Sequence, residues 1–266
     1  MMKLKMSIVD AFADKLFKGN QAAVIVLERW LDEKLMQDIA AENNLSETAF
    51  LVKEKNDIFN IRWFSPLCEI DFCGHATLAS AFILFKENEA LTSIKFYAKA
   101  VGNFEVYKKD DGLIQMNFPK REPVKVQEFP NELLEGLSIK PKEIYKNVQA
   151  YFAVYEKEED VLNIEYKSEL LKKLAPYDVV VTSASKNREY DFVSRYFWPA
   201  SGGKEDPVTG SIHAGLTPFW ANKLNKNILV ALQASKRTGV LFCELKEDRV
   251  LISGKAVQYL EGNISV

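Results

Sequence analysis

With 266 residues, 47% hydrophobic and 27% charged, and 35 basic against 37 acidic side chains for a formal charge of -2, the chain has the make-up of an ordinary folded protein rather than a disordered or fibrous one. No basic cluster is interleaved with aromatics, so the electrostatic term that dominates nucleic-acid binding has no source. The most apolar stretch, Ala76 to Phe85, is about half of what a membrane-crossing helix needs, and the length suits two compact domains.

At the N-terminus, "MMKLKMSIVDAFADKLF" carries an early positive charge, but Asp10 and Asp14 cut its apolar run short of a signal-peptide core. Cys68, Cys73 and Cys243 are odd in number and lack the paired spacing of a disulfide framework or a zinc site, so a reduced, cytoplasmic setting is expected. Further along, "AAVIVL" (22–27) predicts a strand, "DEKLMQDIAAENN" (32–44) an amphipathic helix, and "ETAFLV" (47–52) and "IFNIRWF" (58–64) two more strands. Gly74 then opens the small-residue apolar segment "GHATLASAFILF", expected to be a buried helix.

The second half repeats this order. "AYFAVYE" (150–156), "KSELLKKLAP" (167–176), "DVVVTSA" (178–184) and "YDFVSRYF" (190–197) predict strand, helix, strand, strand, and Gly210 opens "GSIHAGLTPFWA". "RWFSP" at Arg62 recurs as "RYFWP" at Arg195, an offset of 133, and the two glycines are offset by 136. The expectation is an α+β chain of two similar pseudo-repeat domains, each a curved, mostly antiparallel sheet or barrel around a central helix. Their expected bounds are 1–118, completed by 256–266, and 119–255.

If the domains pack face to face, both helix starts point into one cleft. Unpaired N–H groups and the helix dipole there suit a carboxylate, with Gly74, His75 and Ala76 on one side and Gly210 and Ser211 on the other. The alternative for each glycine is a plain turn ahead of a helix. Phosphate-loop and G-x-S-x-G patterns are absent, and two histidines with three scattered cysteines do not make a usual zinc ligand set.

"NNLSETAFLV", "RWFSPLCEIDFCGHATLASA", "EDPVTGSIHAG" and "DAFADKLFKGNQAAVIVL" together resemble the phenazine-biosynthesis PhzF-like family, which shares the diaminopimelate epimerase fold. The likeness runs nearly end to end, through "VLISGKAVQYLEGNI". It implies a cofactor-independent, proton-shifting site between two similar halves, a small anionic substrate, no metal or nucleotide, and a homodimer. It also implies Glu47 as catalytic acid/base, His75 and Asp206 as its polar partners, and Asn20 and Ser46 beside the substrate.

Read from the residues alone, Glu47 could equally be an exposed or capping carboxylate, and Asp206 a turn residue before Pro207. At a helix start His75 is expected to be neutral. Cys73 stands where the related epimerase has one of two catalytic cysteines, but "DPVTGS" offers no second thiol, so a buried, inert Cys73 is expected. His213 is expected one turn into the second helix, packed or lining the substrate. Thr238 in "QASKRTGVL" replaces a glycine of the family pattern. The leading expectation is an isomerase, with a racemase or epimerase and a non-catalytic binding protein as alternatives.

Overall fold

A computed structural model describes residues 1–54 and 57–266. In chain order the elements of the first run are β1 (Lys3–Ala11), β2 (Asn20–Leu27), α1 (Glu33–Asn43), β3 (Glu47–Lys53), β4 (Ile58–Phe64), β5 (Glu69–Ile70), α2 (Gly74–Glu87), β6 (Ser93–Ala98), β7 (Gly102–Lys108) and β8 (Ile114–Pro119). There follow β9 (Val124–Lys125), α3 (Asn131–Glu135), β10 (Glu143–Lys146), β11 (Ala150–Val154), α4 (Glu158–Asn163), α5 (Ser168–Leu171), β12 (Asp178–Ala184), β13 (Phe192–Phe197) and β14 (Glu205–Asp206). The last are α6 (His213–Leu224), β15 (Ile228–Gln233), β16 (Gly239–Leu245), β17 (Arg249–Gly254) and β18 (Ala256–Ser265). The fold is α+β with mixed strand pairing, and it divides into two compact units, 1–117 with 253–266, and 118–252.

In the first unit β18, β1 and β2 pair antiparallel, β2 and β3 parallel, β3 and β4 antiparallel, β4 and β6 parallel, and β6, β7 and β8 antiparallel. α1 forms because Asp32 caps its N-terminus, its side chain accepting from the N–H groups of Lys34 and Leu35, and because Asn44 takes the left-handed conformation that ends it. Met36, Ile39 and Ala40, one helical face, pack against Ala23, Ile25, Phe50 and Phe64. Burying each large side chain there contributes about 1.5–3 kcal/mol. α2 is buried nearly all round and touches β1, β2, β3, β7 and β18.

The second unit has its own core around Tyr151, Ala153, Val179, Val181, Val193 and Phe197. β10 and β11 pair antiparallel, β11 and β12 parallel, β12 and β13 antiparallel, β13 and β15 parallel, and β15 and β16 antiparallel. The two related pentapeptides do the same local work. Arg62 donates from Nε and Nη2 to Glu69 on β5, each at 2.6 Å, and lies over the Phe64 ring. Arg195 donates from the same two nitrogens to Glu205 on β14, at 2.7 and 2.9 Å, and lies over Phe197. A planar guanidinium matched to both carboxylate oxygens ties a two-residue strand to its neighbour in each unit.

Two expectations need correcting. The helix expected over 167–176 is only the four-residue α5 followed by a 3-10 turn at Lys172–Leu174, because Pro176 forces Ala175 into an extended conformation. The second buried helix starts at His213, not at Gly210, so His213 is its first residue rather than one turn inside. His213 and Ala214 donate to the carbonyls of Gly210 and Ser211, a tight i to i+3 turn that precedes the helix proper. Pro218 inside α6 cannot donate to Ala214, and the Arg121 N–H takes that carbonyl at 2.9 Å instead.

His213 is completely buried, its Nδ1 2.8 Å from the Thr209 carbonyl, with the Phe192 ring alongside. Burial lowers its pKa to about 4, so the folded protein holds it neutral. The stability this provides is present above pH 6.5 and is lost as pH falls from 6.5 towards 4, by at most roughly 3 kcal/mol. Urea unfolding of His213→Leu should show a flatter acid limb than the wild type over that window; parallel limbs contradict the assignment.

Candidate active site

Seven of the expected site residues, Asn20, Ser46, Glu47, Cys73, Gly74, His75 and Ala76, lie in the first unit. α1 delivers the chain through Asn44 to Ser46 and Glu47 at the start of β3, and the Asn43 side chain fixes that junction by donating to Thr48 Oγ1 at 3.1 Å. The β2–β3 ladder sets Ala22 opposite Glu47, which brings Asn20 alongside. Ser46 donates to Asn20 Oδ1 at 2.9 Å, and Asn20 Nδ2 lies 3.1 Å from His75 Nδ1. Gly19 makes this approach possible. Its φ of +66° is in the left-handed region, and a Cβ there would stand 2.1 Å from the Ala11 carbonyl oxygen. Gly19→Ala should therefore lose about 1–3 kcal/mol in denaturant unfolding and lower activity through Asn20; unchanged stability would contradict this.

Cys73 is the N-terminal cap residue of α2, in extended conformation, and its side chain makes no capping bond. The first helical bond runs from Thr77 to the Cys73 carbonyl, so the N–H groups of Gly74, His75 and Ala76 lie outside the helical ladder. Gly74, His75 and Ala76 are all buried. Packing puts His75 Nε2 2.8 Å from Glu47 Oε2, with side-chain exposures of only 6% and 11%. By hydrogen-bond geometry that oxygen has no partner among the described residues.

Burial opposes charge on His75, but the neighbouring Cys73 sulfur and the Glu47 carboxylate outweigh it, and the pKa is raised well above the ordinary value. Cys73 itself is pushed up to about 11 by burial and by the Glu47 charge, so at neutral pH it is a thiol. The Asn20 amide nitrogen beside Nδ1 instead suits a ring with its proton on Nε2 alone. The two indications differ on Nδ1; Nε2 stands at contact distance from Glu47 Oε2, an oxygen that has no hydrogen-bond partner among the described residues. Burial and the Asn20 amide therefore favour the neutral ring expected at a helix start, while the Glu47 carboxylate at contact distance favours the charged one.

Glu47, Cys73 and His75 are also the one group of three potential metal-ligating side chains found among the described residues. Their spacing suits proton sharing better. Two ligands of a tetrahedral zinc stand about 3.3 Å apart, whereas Nε2 and Oε2 are at hydrogen-bond distance.

The remaining expected residues lie in the second unit. Asp206, half-buried at the end of β14, accepts a short hydrogen bond from Thr209 Oγ1. Gln233 and Ser235 hold this loop: Gln233 donates to the Asp206 carbonyl and accepts from the Thr209 N–H, while Ser235 donates to the Pro207 carbonyl. Thr238 occupies the left-handed region at φ +58°, a conformation glycine favours, and its N–H is held by Ser235 Oγ at 3.1 Å. Gly210 is buried, and Ser211 accepts from Gln149 Nε2 at 3.0 Å. Sequence reasoning missed Gln149, Gln233 and Ser235; only the last two had a signal, within "QASKRTG".

Comparison with known proteins agrees with this architecture. The family model described as phenazine biosynthesis-like protein matches residues 9–262. The chain is 44% identical to an uncharacterized isomerase of Halalkalibacterium halodurans, and 43% to another of Pseudomonas aeruginosa, with 99% of each chain covered in both cases. A crystal structure of a phenazine biosynthesis protein of the PhzF family from Enterococcus faecalis superposes with a TM-score of 0.94 at 44% identity, covering 100% of both chains. By sequence and by fold, the chain belongs to the phenazine biosynthesis-like PhzF family.

Proposed function

We propose that this protein is an isomerase that moves a proton within a small carboxylate-bearing metabolite, without a cofactor. The observation that carries the reading is the buried contact between Glu47 Oε2 and His75 Nε2. A carboxylate enclosed beside one imidazole, its Oε2 without a hydrogen-bond partner among the described residues, is poorly solvated, which suits a general base. Glu47 takes a proton from a carbon next to an electron-withdrawing group and returns it to a nearby carbon. His75 keeps Oε2 in place and moderates the change of charge as the proton arrives, and the N–H groups in the first turn of α2 face the developing negative charge.

Asp206, Gly210 and Ser211 enter this reading through the family resemblance, as partners of the substrate's polar groups, as does a homodimer. The names of the Halalkalibacterium and Pseudomonas relatives support the reaction type. Cys73, a buried thiol, is left out of proton transfer. We also read the two units as copies of one repeat, supported by their shared order of parallel and antiparallel pairings and by the matched Arg62–Glu69 and Arg195–Glu205 clamps.

The test is incubation with a panel of amino acids, hydroxy acids and cyclic diene carboxylates, followed by proton NMR and chiral chromatography. A product with a shifted double bond or hydrogen supports isomerisation. A product of inverted configuration only turns the assignment to epimerisation, and no product from any member contradicts both.

A further inference from the structure

Ser211 hangs on a buried hydrogen-bonded chain whose direction is set at its far end. Asp178, at the start of β12 and 9% exposed, accepts from Tyr196 Oη at 2.8 Å and from Ser201 Oγ at 3.1 Å. An ionised carboxylate only accepts, so it consumes the single hydrogen of the Tyr196 hydroxyl. The Tyr196 oxygen is then left as an acceptor, and the side chain that meets it, Gln149, must present its amide nitrogen, at 3.1 Å. The same Nε2 reaches Ser211 Oγ at 3.0 Å with its second hydrogen.

The Gln149 backbone is held at both its N–H and its carbonyl. Its N–H donates to Asn147 Oδ1 at 2.8 Å, and its carbonyl accepts from the Asp178 N–H at 3.2 Å. Its Oε1 is enclosed and has no hydrogen-bond partner among the described residues. Flipping the amide would give no relief, because it would set Oε1 against a tyrosine oxygen whose hydrogen is already spent. A buried acceptor left unpaired is unusual in a purely structural network, and here it is the consequence of holding Nε2 towards Ser211. Tyr196 is also the register partner of Asp206 in the β13–β14 ladder. Both second-unit residues expected at the substrate therefore depend on Tyr196, one through the backbone and one through Gln149.

We propose that Gln149 is a positioning residue: by occupying the Ser211 oxygen as a donor, and being itself oriented by Tyr196 and Asp178, it leaves the Ser211 hydroxyl hydrogen to be donated to an acceptor-only group, a carboxylate oxygen of the substrate. This rests on the isomerase reading only in taking Ser211 as a substrate contact. It adds that the group bound there is an anion with no hydrogen to give, and that recognition fails if the chain of donors is reversed.

The test is NMR titration with benzoate, a plain carboxylate, and with uncharged benzamide. It uses the wild-type chain and the Gln149→Leu, Gln149→Glu, Ser211→Ala and Gln149→Leu/Ser211→Ala variants, with thermal melting as a folding control. Loss of a hydrogen bond to a charged group is worth a factor of about 10 or more in affinity. Gln149→Leu should therefore weaken benzoate about tenfold and benzamide little, and it should add nothing in the Ser211→Ala background. The near-isosteric Gln149→Glu, which takes the serine hydrogen for itself, should be at least as impaired, and it should melt below the wild type because it sets a buried carboxylate against the spent Tyr196 oxygen. The proposal is overturned if the wild type binds benzoate no better than benzamide, if Gln149→Leu leaves benzoate unchanged, or if its penalty persists in the absence of the Ser211 hydroxyl. Failure of the isomerase reading is separate, appearing as no product from any panel member whatever the benzoate result.

Discussion

Glu47→Gln should lower the rate of product formation by roughly 10²- to 10⁴-fold, the usual contribution of a positioned general base, while leaving the protein folded. The amide is nearly isosteric and fits the same 9% exposed position at the start of β3. It keeps an oxygen beside His75 Nε2, but it cannot take a proton from carbon. With the carboxylate gone, burial is left as the main influence on His75, so the ring should return to the neutral side of its ordinary range. Binding of benzoate should survive within a few-fold. Rates within threefold of the wild type would remove Glu47 from the chemistry. Intact binding by both forms, with turnover by neither, would indicate a binding protein.

His75→Leu should be the most damaging single change to stability in the site. It leaves the Glu47 carboxylate buried without its imidazole, and breaking one side of a buried pair costs about 3–5 kcal/mol. The double variant Glu47→Gln/His75→Leu should recover much of that loss, because the cost lies in the stranded charge rather than in the missing contact. The pH dependence follows from the raised His75 pKa. Its stabilising contribution is fully present below the unfolded value of about 6.5 and is lost as pH rises through the higher folded value. Urea unfolding across pH 6 to 10 should show an alkaline decline in the wild type that is missing in His75→Leu. A loss below 1 kcal/mol, unrelieved in the double variant, would contradict a charged pair.

Much of the first unit could be read from the sequence because its signals are local. Asp32 and Asn44 bracket α1, and the short apolar runs in "ETAFLV" and "IFNIRWF" mark β3 and β4 within a residue. Glu47 and His75 came from the family motifs, and their mutual contact is a product of packing between β3 and α2. The second unit was harder. Its expected helix at 167–176 collapsed to one turn because Pro176 intervenes, and α6 began three residues late because an i to i+3 turn carries the chain over Gly210 and Ser211. The Asp178, Tyr196, Gln149 and Ser211 chain could not be seen at all: its members are 18, 47 and 62 positions apart, and only the folded ladder brings them within reach. The Glu47 carboxylate opposite His75 was hidden for a related reason, since a helix dipole can be inferred from a helix start, whereas an opposing buried carboxylate is a tertiary fact.

The measurement that bears most directly on Glu47 as proton carrier is deuterium uptake from D2O, read by mass spectrometry on the substrate panel with wild type and Glu47→Gln side by side. Carbon-bound deuterium in a turned-over compound with the wild type, and uptake at least about a hundredfold slower with the variant, is the predicted result. Equal uptake by the two proteins, or turnover by the wild type with no solvent deuterium in substrate or product, would contradict it.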